Sequence, residues 1–67
     1  MIEFKNGMVG DGSQHWADAH IRKIEDGRYL TYDEAGQNHM EASNLQDARH
    51  LLTVYSASLR GNCETCK

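Results

Sequence analysis

Apolar positions recur along this chain with two different periods, and the change of period separates a sheet-forming front from a helical back. In "NLQDARHLLTVYSASLR", residues 44–60, Leu45, Ala48, Leu51, Leu52, Tyr55 and Leu59 fall at steps of 3, 3, 1, 3 and 4. That is the stripe of an amphipathic helix. Asn44 can accept a hydrogen bond from an unpaired backbone N–H of the first turn, and Asp47 puts an anion where the helix dipole favours one. Arg60 suits the last turn, and Gly61 can take the left-handed conformation that ends many helices. The pattern predicts one long helix that stops at Gly61.

Ahead of the helix, the signals are those of strands and turns. Asp26-Gly27 marks a tight hairpin, because Gly tolerates the positive φ of a primed turn. "DEAGQ" at 33–37 reads as a second, longer turn, and "RYLTY" between them carries the aromatic and β-branched residues that suit a strand. Strands are expected at 28–33 and 37–42. The preceding "SQHWADAHIRKIE" fits either period. As a helix it starts at Ser13 with Ala17, Ile21 and Ile24 on one stripe; as a strand it covers 17–25, which the turn and strand that follow favour. Asn6-Gly7 between apolar residues signals another hairpin, and "GDGS" at 10–13 reads as a flexible joint.

The fold class that results is α+β: an antiparallel meander of three to five strands packed against one long C-terminal helix. A single domain is expected over residues 1–61, with residues 62–67 as a tail. The helix stripe would rest on Ile21, Leu30 or Tyr29, Tyr32, Met40 and Ala42. The other sheet face would offer His20, Arg22 and Thr31 to solvent or to a partner.

Size and charge narrow the function classes. A chain of 67 residues buries only about 60% of the surface it exposes when unfolded, so a metal, a cysteine link or a second copy would add needed stability. Ten Asp plus Glu against seven Lys plus Arg give a net charge of −3, which argues against a strongly basic nucleic-acid binder. No apolar run is long enough to span a bilayer. The start, "MIEFKNGMVG", lacks the basic-then-apolar pattern of a secretory signal. A cytoplasmic address with reduced thiols is expected.

Candidate chemistry is sparse. Cys63 and Cys66, in "GNCETCK", supply one ligand pair of a zinc site, and His50 and His39 could complete it if the tail folded back. Without that return the pair is an exposed dithiol, so no cofactor is the leading expectation. Asp18, His20, Glu25 and Asp33 are available as acid–base groups, but no nucleophile motif accompanies them. A core this small also leaves little room for a substrate pocket. "GMVGDG" has neither phosphate-loop spacing. The chain reads as a protein that is not an enzyme.

The stretch "IRKIEDGRYLTYDEAGQNHMEASNLQDARHLL" resembles the β-β-β-α arm-binding domains of phage-type tyrosine integrases. The matching residues are Asp26-Gly27-Arg28-Tyr29, Gly36, Asn44 and Ala48. That resemblance implies a DNA-binding role, although the third strand here reads "QNHMEA" where that family is rich in Lys and Arg. In size, charge and layout the chain is also similar to the small proteins, anti-CRISPR proteins among them, that phages and mobile elements encode against host defences. That likeness implies action by binding, through coverage of a surface on a protein or ribonucleoprotein complex.

The leading expectation is therefore a non-enzymatic binding protein. Its acidic turn residues Glu25, Asp26, Asp33 and Glu34 would meet a basic partner surface, and Trp16, Arg22, Arg28 and Tyr29 would anchor the contact. The alternatives are a DNA-binding accessory protein that uses the open sheet face and a small zinc-stabilised domain. An exposed sheet edge and a marginal core would also suit a homodimer.

Overall fold

A computed structural model describes residues 2–4, 7–33, 35–53 and 56–61. Two short strands, β1 (Ile2–Glu3) and β2 (Val9–Gly10), pair antiparallel. A single helical turn, α1 (His15–Asp18), leads into the main sheet of β3 (Ile21–Glu25), β4 (Arg28–Thr31) and β5 (Met40–Ala42), an antiparallel meander in the order β3-β4-β5. Two helices follow, α2 (Leu45–Thr53) and α3 (Ser56–Gly61). The α+β class and the antiparallel sheet match the expectation from sequence. None of the described helices is long and apolar enough to cross a membrane.

Over the expected single helix at 44–60 the described residues form α2 and α3, and residues 54 and 55 between them lie outside the described residues. Its start is as read: Asn44 Oδ1 accepts from the Asp47 backbone N–H at 2.8 Å, and the Asn44 carbonyl accepts from Ala48 at 3.1 Å. The hydroxyl of Thr53 donates to the His50 carbonyl at 2.6 Å, a back-bond that Ser and Thr often make within helices. Tyr55, on the predicted stripe, lies outside the described residues, as do Asn6 of the first hairpin and the tail at 62–67. Gly61 is still helical and does not adopt a positive φ.

The strand expected at 17–25 begins only at Ile21. Ala17 and Asp18 are adjacent and both fully buried. A strand would turn neighbours to opposite faces, whereas one helical turn can bury both. The turn closes through Gln14, whose carbonyl accepts from Ala17 and Asp18, both at 2.9 Å.

Ala17, Ile21, Ala42, Ala48, Leu52 and Leu59 form the core, with Val9, Trp16, Tyr29, Leu45 and Leu51 packed around it. Full burial of a Leu or Ile side chain contributes about 1.5–3 kcal/mol each. Thr31 is also buried, its hydroxyl satisfied by the Met40 carbonyl at 3.2 Å.

The loop expected to be a flexible joint is a built element. Gly12, at φ +86°, presents its N–H to Asp18 Oδ2 at 3.0 Å, and Ser13 N–H donates to Asp11 Oδ1 at 2.9 Å. Arg49 of α2 reaches both aspartates, and its side chain is only 13% exposed. A Cβ on Gly10 would overlap the Asp18 carboxyl group, so this glycine lets the buried carboxylate approach the backbone. The Arg49 guanidinium, with help from the Ser13 N–H, holds the Asp11 carboxyl well below the usual carboxylate range. Asp18, then Asp11, raise the Arg49 pKa against the opposing effect of burial.

Candidate functional site

Which side chains face outward is decided at the β3–β4 hairpin. Gly27 has φ +80°, but Asp26 does not have the positive φ that a type I′ turn requires at both central residues. The register then shifts between Lys23 and Glu25. Beyond this bulge Lys23 pairs with Tyr29, Arg22 with Leu30 and Ile21 with Thr31. Without it, Arg22 would stand opposite Thr31. A one-residue slip turns every later side chain to the other face. The expected faces are therefore corrected: Thr31 joins Ile21 and Ala42 on the helix side, where Tyr29 rather than Leu30 also lies, while Leu30 and Tyr32 face away. His20 is buried rather than exposed.

The outer face that results carries a row running straight across the sheet: Arg22 on β3, Leu30 on β4 and Glu41 on β5. Met8 continues it beyond β3 through an isolated bridge to Arg22, which sets the first hairpin against that edge. Arg28, next on this face, donates to Glu25 Oε1 at 3.0 Å and also binds Glu41 Oε1. Glu41 and then Glu25 raise the Arg28 pKa. Ile24, at the bulge, is 47% exposed.

At the other end of the row, Arg22, Leu30, Tyr32, Gly36 and His39 line a shallow cleft of about 210 Å³. Tyr32 forms one wall. Its hydroxyl donates to Met8 Sδ, its ring meets the His39 ring edge-on at 5.8 Å and the His20 ring at 6.3 Å, and burial raises its pKa. The β4–β5 loop places His39. Asp33 gathers that loop by accepting from Ala35 N–H at 3.0 Å, Gln37 N–H at 2.8 Å and Asn38 Nδ2 at 2.6 Å. The Gln37 N–H is the largest reason why its carboxyl titrates low. Gly36, at φ +77°, turns its carbonyl to His39 Nε2 at 2.8 Å. Among the described residues Arg22 is the cation that neither pairs with a carboxylate nor stacks on a ring. Lys23 pairs with Asp26 at 2.8 Å, Arg60 lies 4.6 Å over the Trp16 ring, and Arg28 and Arg49 are engaged as above.

Of the residues expected to bind a partner, the structure brings Arg22, Arg28 and Glu25 together on this face. Asp26 sits at the hairpin tip with its carboxyl lowered by Lys23, and Asp33 is spent on its own loop. Tyr29 and Trp16 pack against the core. Glu34, Cys63 and Cys66 lie outside the described residues. His50 is exposed on α2 and His39 is held by Gly36. Among the described residues no group of three or more His, Cys, Asp or Glu side chains could hold a metal ion. Asp18, weighed as an acid–base group, is taken up by Arg49 and Gly12. Leu30, Tyr32 and Glu41 are site residues that pattern reading left out, and His39 was weighed only as a zinc ligand. The bulge that exposes the first two has no residue signature in "RKIEDGRY".

No family model, curated protein or solved structure matches this chain.

Proposed function

We propose that this is a non-enzymatic binding module that occupies a surface of a protein or ribonucleoprotein partner through the outer face of its sheet. The observation that carries this reading is a guanidinium, Arg22, with no carboxylate partner among the described residues, beside the half-buried Leu30 at a cleft the size of one side chain. Substrate pockets run to about 300–1,000 Å³; a cleft below that range suits an inserted side chain. Arginine and aromatic residues at the edge of an apolar patch are the usual anchors of a protein interface.

The mode of action is that of the phage-encoded inhibitors, anti-CRISPR proteins among them, that the chain resembles in size and layout. It works by steric coverage and needs no cofactor. The acidic-turn version of this reading is weakened, because Glu25, Asp26 and Asp33 are each matched within the chain. DNA on the same face is disfavoured by Glu25 and Glu41, which cancel much of the field that phosphates would need.

Site-specific photo-crosslinking in the cells that produce the protein tests the reading. A photoreactive residue at Ile24 on the outer face should give discrete adducts to another protein, and one at Gln46 on the exposed side of α2 should not. Equal adducts from both positions, or adducts from Ile24 only to a second copy of the chain, would overturn it.

A further inference from the structure

We propose that, when no other partner is bound, the outer sheet face is closed by a second copy of this chain, related by a two-fold axis parallel to β4. The inference rests on the reading of the outer face as a docking surface and names an occupant for it.

The row Arg22–Leu30–Glu41 is self-complementary. Its residues stand directly opposite one another on three adjacent strands, so Arg22 and Glu41 flank Leu30 at one strand spacing, about 4.8 Å, on either side. Two such faces related by an axis along β4 exchange their outer strands. Arg22 of each copy then meets Glu41 of the other, and Leu30 meets Leu30. An axis across the strands would instead set Arg22 against Arg22 and Glu41 against Glu41. A two-fold interface must match itself in this way.

The charges are available for it. Arg22 has no ion pair among the described residues. Glu41 engages Arg28 through Oε1, and a carboxylate has lone pairs on both oxygens. The axis keeps position along the strand, so Arg28 comes opposite Arg28, each already clasped by its own Glu25 and Glu41. Packed sheets lie about 10 Å apart, a span that facing Arg and Glu side chains can close. Ile24 supplies further apolar area beside the row, and a chain this small gains stability from surface it cannot bury alone.

Sedimentation equilibrium on the full chain over a concentration series tests the proposal. The mass should rise from one chain to two. Arg22→Glu opposes two carboxylates at each contact and should raise the dissociation constant at least about tenfold, and Leu30→Lys should raise it too. Glu41→Arg should do the same, while an equimolar mixture of Arg22→Glu and Glu41→Arg chains should dimerise like the parent, since each offers the other opposite charges at both contacts. Circular dichroism checks that each variant folds; should Glu41→Arg not fold, Arg22→Glu and Leu30→Lys decide the matter. One-chain mass at every concentration, a dimer indifferent to Arg22→Glu and Leu30→Lys, or folded single variants that stay apart when mixed would overturn it. A monomer whose Ile24 position still crosslinks to another protein defeats self-pairing alone. A charge-coded dimer that crosslinks only to itself defeats the reading of a heterologous docking face.

Discussion

Arg49 reaches across 31 residues of chain to hold the buried carboxylate of Asp18 in a two-point fork, Nε to Oδ1 at 2.6 Å and Nη2 to Oδ2 at 2.7 Å. The fork ties α1 to α2 from the inside, and the Gly12 N–H completes it. To remove one partner leaves the other charged and buried, at a cost of about 3–5 kcal/mol. Small domains are stable by only about 5–15 kcal/mol. Arg49→Met or Asp18→Asn should therefore bring the chain close to unfolding in urea titrations. The double variant should lose much less than the sum of the two. Additive losses would show that the two side chains do not act as a pair.

Acid should loosen the same region. The folded state depresses the Asp11 carboxyl below its ordinary value of 3.8, chiefly through Arg49. A depressed carboxyl contributes stability that is present above the unfolded value and fades as pH falls toward the folded one. Melting temperatures of the parent and of Asp11→Asn should differ at neutral pH and converge as pH drops below about 3.8. A constant gap down to strongly acid pH would contradict the assignment.

Two glycines should respond in opposite directions. Gly10→Ala drives a methyl group into the Asp18 carboxyl, and overpacking of that kind costs about 1–3 kcal/mol. Gly61→Ala meets nothing within 4 Å and is helical, so it should stabilise by about 0.4–1 kcal/mol through the unfolded state. Denaturation midpoints of the pair measure both signs.

The cap of α2 should be worth about 1 kcal/mol. Asn44→Ala removes the acceptor for the Asp47 N–H, and Asp47 also accepts from Asn44 Nδ2 at 3.2 Å and Ser43 Oγ at 3.4 Å. A loss of that size lowers the melting temperature of a domain this small by about 4–8 °C. Asn44→Asp keeps the oxygen and should fall by less.

Local chemistry in this chain was legible where it was self-contained. The Asn44 cap, the chain reversals at Asp26-Gly27 and Asp33–Gln37 and a strand after each depend on neighbours in sequence and are present, although the strands are shorter than the expected 28–33 and 37–42 and the first turn is not of the primed type. What escaped depends on distant partners. Asp18 could be recognised as a core residue only with Arg49 in view, and that pairing overrides the strand period of residues 17–20. The single-residue bulge at Lys23/Glu25 leaves no mark in composition, yet it exchanges Thr31 for Leu30 on the outer face. Sequence reading placed Arg22 on the outer face, and the bulge is why it put Thr31 there in place of Leu30.

Trp16 is the chain's only tryptophan, and the guanidinium carbon of Arg60, on α3, lies 4.6 Å above its ring. Indole emission responds to a cation held at its face and to the water that replaces it. The molecule thus carries an intrinsic optical reporter on the docking of α3 against α1, placed away from the outer face. Steady-state fluorescence can follow the detachment of the last helix separately from the melting of the sheet, with no label attached.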